Sequence, residues 1–122
     1  MARSGPANEQ AGIVFYRRSG NRLAGKWSHV NEKGLLCDEV VGPIPAGALT
    51  GTWPVHISDS SGRRIFDGAL DLETFGQCLK LTWRGDYLPA GVPVRFEGIG
   101  CQIDRETLCA TFARVDLPPP PA

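Results

Sequence analysis

The sequence predicts an all-β fold, a single eight-stranded antiparallel up-and-down β-barrel built from four hairpin repeats. Three observations predict it. Nearly the same five-residue phrase, a leucine followed four residues later by an aromatic, returns along the chain. Apolar and polar residues alternate with period two, the mark of half-buried strands. Glycines recur at positions that share a face with the apolar residues. The phrase reads "LAGKW" (Leu23–Trp27), "LTGTW" (Leu49–Trp53), "LKLTW" (Leu79–Trp83) and "LCATF" (Leu108–Phe112).

The phrases start at residues 23, 49, 79 and 108, so the unit is about 30 residues long, enough for two strands and their turns. A second phrase falls between them. "IFDG" and "RFEGIG" share Phe-acid-Gly at Phe66 and Phe96. Four two-stranded units give eight strands, and closing them into a barrel removes the exposed edges.

Taken in order, "MARSGPANEQ" is polar, is interrupted by Gly and Pro, and reads as a flexible arm over residues 1–11. The barrel domain is expected over residues 12–116. Its strands are expected at about 13–18, 22–30, 34–41, 48–58, 63–72, 77–84, 92–103 and 107–115. Residues 117–122, "LPPPPA", form a Pro-rich tail that lacks the N–H groups a sheet needs. Such a run also has the composition of a ligand for an aromatic groove.

Register is predicted for two hairpins. With its turn at "TFGQ", the third hairpin is expected to pair Leu72 with Leu79, Leu70 with Leu81 and Gly68 with Trp83 inside. Outside, Asp71 would face Lys80 and Asp67 would face Arg84, both complementary in charge. Trp83 would then cover Gly68. In the last hairpin, turning at "DRE", Gly98 is expected opposite Phe112 and Cys101 opposite Cys109. The loops "GPIPAG" (residues 42–47) and "GDYLPAG" (residues 85–91) are expected at the barrel mouth.

Composition narrows the function. Thirteen basic residues balance thirteen acidic ones, so no phosphate-tracking surface and no nucleic-acid partner is expected. No apolar run approaches the length of a membrane-spanning helix. The N-terminus has no apolar core of a secretory signal, which makes the cytoplasm the expected location. The four cysteines, Cys37, Cys78, Cys101 and Cys109, are then expected as free thiols, with a Cys101–Cys109 bridge as the alternative under oxidation.

"LTGTW" resembles the first-strand phrase of avidin-type proteins, and "GTW" and "GKW" resemble the Gly-x-Trp of the wider calycin group, lipocalins included. The resemblance covers short phrases. It implies an eight-stranded barrel with a ligand cavity at one end and frequent oligomerisation. It does not imply biotin, because "PVHISDSSG" follows Trp53 where avidin-type chains continue with Asn and a Gly-Ser turn. No ligand-contacting residue carries over.

The candidate binding residues therefore come from the alternation itself. Trp27, Trp53, Trp83 and Phe112 face inward and are expected to line an apolar mouth, with Phe66 and Phe96 beside them; the alternative is a filled core. His29 shares a face with Trp27 near a strand end, where it would orient a ligand or be hydrogen-bonded at the rim. His56 is expected to face outward, so the two histidines make no metal site. "SDSSG" is a turn with no Gly-x-Ser-x-Gly elbow, and no nucleophile–base pair is readable. No catalytic residue, cofactor or metal is expected. The function predicted is non-catalytic binding of a small apolar or amphipathic ligand. The alternative is a scaffold or regulatory barrel with a filled interior that acts through its outer wall as a homodimer, through Cys109, Thr111, Ala113 and Val115.

Overall fold

A computed structural model describes residues 11–115. The expected Pro-rich tail, and the expected arm apart from Ala11, lie outside the described residues. Eight strands follow one another: β1 (Gly12–Ser19), β2 (Arg22–His29), β3 (Cys37–Val41), β4 (Gly51–Ser58), β5 (Arg64–Phe75), β6 (Cys78–Tyr87), β7 (Val92–Gln102) and β8 (Thr107–Arg114). Each pairs antiparallel with the next, and β8 closes on β1, giving the predicted closed up-and-down barrel. Among the described residues, no helix is long and apolar enough to cross a membrane.

Period-two alternation places the core residues of the strands. Val14 and Tyr16 of β1, Leu23 and Trp27 of β2, and Leu70 and Leu72 of β5 are buried, while their sequence neighbours face out or stand half-buried. The four repeated phrases fall on β2, β4, β6 and β8, each the second strand of its hairpin. Inward glycines let the wall coil tightly. A Cβ at Gly98 would meet the Thr111 carbonyl oxygen at 1.8 Å, so only glycine fits where β7 and β8 approach.

Two strand starts fall three residues later than expected. β3 begins at Cys37 rather than residue 34, because a 3-10 turn (Val30–Glu32) runs into left-handed Lys33 and Gly34. β4 begins at Gly51 rather than residue 48, because the preceding segment folds across the barrel end.

The last hairpin pairs Cys101 with Cys109 as predicted, and a Cβ added at Gly98 would run into the backbone of Thr111 and Phe112. The two sulfurs are 3.8 Å apart, a thiol–thiol hydrogen bond and not a disulfide. The third hairpin needs correction. Leu72 faces Leu81, Leu70 faces Trp83, and Gly68 faces Gly85, two residues away from the expected pairing. The turn is centred on Gly76 and Gln77, with Gly76 at φ 62°, as a tight two-residue loop requires at its first central position. A one-residue shift of the turn centre moves the register by two and leaves the inward face unchanged. The charge complementarity survives on a diagonal: Arg84 donates two hydrogen bonds to Asp71, at 2.8 and 2.9 Å, although Asp71 stands opposite Thr82.

The two loops expected as mouth segments lie at opposite ends of the barrel, and Tyr87 of the second lines the cavity. In an up-and-down barrel, successive connections alternate between ends. Residues 42–47 follow the third strand and residues 88–91 follow the sixth, so they cannot share a mouth. The segment 42–50 covers one end: Ile44 is fully buried, its N–H bonds the Asn21 carbonyl, and Arg18 bonds the carbonyls of Ala48 and Pro45. Leu23, Val41, Val55, Leu72, Leu81 and Leu108 fill the half beneath it. The opposite half is built of rings.

Candidate functional site

The open half is set by what the inward positions carry near the other end. β2 contributes Trp27 and His29, β4 contributes Ile57, β5 contributes Ile65 and Phe66, and β6 contributes Trp83 and Tyr87. Phe96 comes from β7 and Phe112 from β8. Together with Glu32 and Glu39 they line a cavity of about 90 Å³.

The rings support one another edge to face. Phe112 packs against Trp27, Trp83 and Phe96 with centroids 5.9–6.1 Å apart and planes at 69–80°. Phe96 in turn meets Phe66 at 6.4 Å and Tyr87 at 6.3 Å. Such T-shaped pairs are the favoured aromatic geometry, each adding about 0.5–1.5 kcal/mol beyond area burial. Neighbouring cavity walls therefore stand nearly perpendicular.

At the base of this aromatic half lies a buried carboxyl group. Glu39 of β3 is 3% exposed. The Tyr16 hydroxyl and the Trp83 indole N–H (2.9 Å) both donate to its Oε2. Gly25 makes the reach possible: it sits opposite both Tyr16 and Glu39, and a Cβ there would meet the Tyr16 ring at 2.9 Å. Burial disfavours the charged form and pushes the Glu39 carboxyl up to about 7, against the pull of its two donors. Burial, with the adjacent Glu39, also holds the Tyr16 phenol well above its usual value.

The rim is polar. His29 stacks on Trp27 at 5.6 Å, and its Nδ1 accepts the Asn31 N–H at 3.1 Å, which fits the expected rim histidine. Burial lowers its pKa, opposed by nearby Glu32. The Cys37 thiol donates to Glu32 at 3.4 Å. Burial first, then Glu32, pushes that thiol up to about 12, so it stays protonated.

Of the residues predicted from sequence to line the mouth, Trp27, His29, Trp83 and Phe112 come together. Trp53 does not. It is half-buried toward the covered end, its ring folds back over Gly51, and its indole N–H donates to the Leu49 carbonyl at 2.8 Å. The sequence reading missed Tyr16, Glu32, Glu39, Ile57, Ile65 and Tyr87. A signal for Glu39 exists in "CDEVV", where the inward phase runs Cys37, Glu39, Val41 and so puts an acid in the core. His56 bonds Asp67 at 2.6 Å, outside the cavity lining. Among the described residues, no group of three or more His, Cys, Asp or Glu side chains is placed to hold a metal ion.

A pH dependence follows. Folded Glu39 holds its proton to about pH 7, whereas an unperturbed glutamate releases it near 4.5. Between those values the folded chain binds more protons, so stability falls as pH rises through that window and levels off above it. The fall is on the order of 3 kcal/mol for a shift of this size. Denaturant melts from pH 4.5 to 8 should show that slope, and Glu39→Gln should flatten it while keeping an acceptor for both donors.

Comparison of the chain with family models, with curated proteins and with solved structures gives no match.

Proposed function

We propose that this barrel is a non-catalytic binding protein that takes a small apolar or amphipathic ligand at its open mouth. One observation carries the reading. The interior is filled by aliphatic side chains in one half only, and the other half keeps a cavity walled by six aromatic side chains with a carboxyl group at its base. A concave, mainly apolar site with a few convergent polar groups is the usual form of a small-molecule site. The calycin-like phrases agree with it, since the barrels they resemble hold ligands at one end. Binding fits better than catalysis because the polar groups are engaged structurally: Glu39 by Tyr16 and Trp83, and His29 Nδ1 by Asn31. A cytoplasmic location fits the four free thiols.

A second reading has its own observation. Ile13, Phe15 and Ile99 are about half exposed on the outer wall, beside Cys101, Cys109 and Thr111. This strip overlaps the last-strand face expected to pack in a homodimer. Contiguous exposed apolar surface of this kind marks interaction sites.

Apolar probes should quench tryptophan emission and raise the melting temperature of the wild-type chain. Ile65→Phe, which adds bulk at the cavity wall, should abolish both effects while leaving the far-UV spectrum unchanged. An undiminished response in that variant would place probe binding elsewhere. If the outer wall pairs two copies, light scattering should report a dimer that Phe15→Glu converts to a monomer.

A further inference from the structure

We infer that the cavity selects a small organic cation, a substituted ammonium group seated between the aromatic walls and facing Glu39. This rests on the binding reading above and names the ligand's chemistry.

The carboxyl groups that line the cavity are acidic, and the Arg114 guanidinium lies over the ring of Tyr87, 5.4 Å from its centroid. Among the described residues, the cavity lining includes the carboxyl groups of Glu32 and Glu39 and no Lys or Arg side chain. Glu39 is hydrogen-bonded by Tyr16 and Trp83, both neutral donors, so when it ionises those bonds leave its negative charge without an opposite charge. A buried charge needs an opposite partner to be stable. An entering cation provides that partner; an anion would meet two carboxylates.

The walls match the same chemistry. Ring faces carry a negative quadrupole, and a cation within about 6 Å of a ring centroid is attracted to it. Trp27, Trp83, Phe96 and Phe112 meet at steep angles, so their faces point in different directions around the cavity. A compact, weakly hydrated ammonium group can use several such faces at once. The cavity, about 90 Å³, is open at one end, so an ammonium head sits among the rings with its substituent toward the mouth.

Binding should then be linked to protons. A cation favours ionised Glu39, so affinity rises with pH up to about 7 and levels off above it. The other titratable groups around Glu39 are Tyr16 on β1, His29 on β2, Glu32 in the 3-10 turn, Cys37 on β3 and Tyr87 on β6. Tyr16 and Cys37 stay neutral in this range, and His29, if charged at acid pH, acts in the same direction.

The test is calorimetry on the full chain at pH 8 with choline and with 3,3-dimethyl-1-butanol, which has the same shape without the charge. Choline should bind about tenfold or more tightly than the isostere. Glu39→Gln, checked for folding by its melting curve, should remove most of that preference. Lowering the pH to 5 should weaken choline and leave the isostere unchanged. Equal affinity for the two compounds would overturn the cation assignment while leaving a binding cavity in place. A choline preference that survives in folded Glu39→Gln would overturn the role of Glu39. Should Glu39→Gln fail to fold, the wild-type comparison and its pH dependence decide alone. If neither compound binds, the assignment falls, and the apolar probes then report separately whether the cavity binds at all.

Discussion

The interior depends on one buried carboxyl group. Glu39 draws the Tyr16 hydroxyl from β1 and the Trp83 indole from β6 to a single oxygen, so three strands on different sides of the barrel meet at one point. A buried acid is unfavourable unless hydrogen-bonded, and an apolar residue there would pack without that requirement. Keeping the acid forces the surroundings. Tyr16 must lie across β2, which demands glycine at Gly25, and Trp83 must turn its N–H inward. Once those rings are committed to Glu39, aliphatic packing ends at their level and the remaining aromatics wall the space beyond.

The covered end and the open end are then consequences of connectivity. Alternate connections of an up-and-down barrel lie at alternate ends. The segment that carries Ile44 can cover one end, and the rim residues His29 and Glu32 belong to the other. Trp53 shows the division plainly. It carries the same phrase as Trp27 and Trp83, yet its ring folds back over Gly51 toward Leu49 and the covered end. The repeat therefore specifies strand role and inward face, while depth along the barrel axis decides whether a ring becomes filler or wall.

This is also why the fold was more legible than the site. Period-two alternation and the 30-residue unit carry strand number, order and facing, and these agree with the barrel. The third-hairpin register is not fixed by the pattern, because facing is unchanged by a two-residue shift and the inward leucines fit both pairings equally. Cys101 and Cys109 pair as expected because the β7–β8 turn is centred on Arg105, the middle of "DRE". The Tyr16–Glu39–Trp83 contact joins residues far apart in sequence, and no local pattern encodes it. Only the phase of "CDEVV" hinted that an acid points inward.

The most direct test of a buried, desolvated carboxyl group at the barrel's centre is a carbon-13 NMR titration of the glutamate side chains. One carboxyl resonance, absent from Glu39→Gln, should have its midpoint near pH 7. A Glu39 resonance that titrates near the ordinary value of 4.5 would show the group solvated, and would contradict the account.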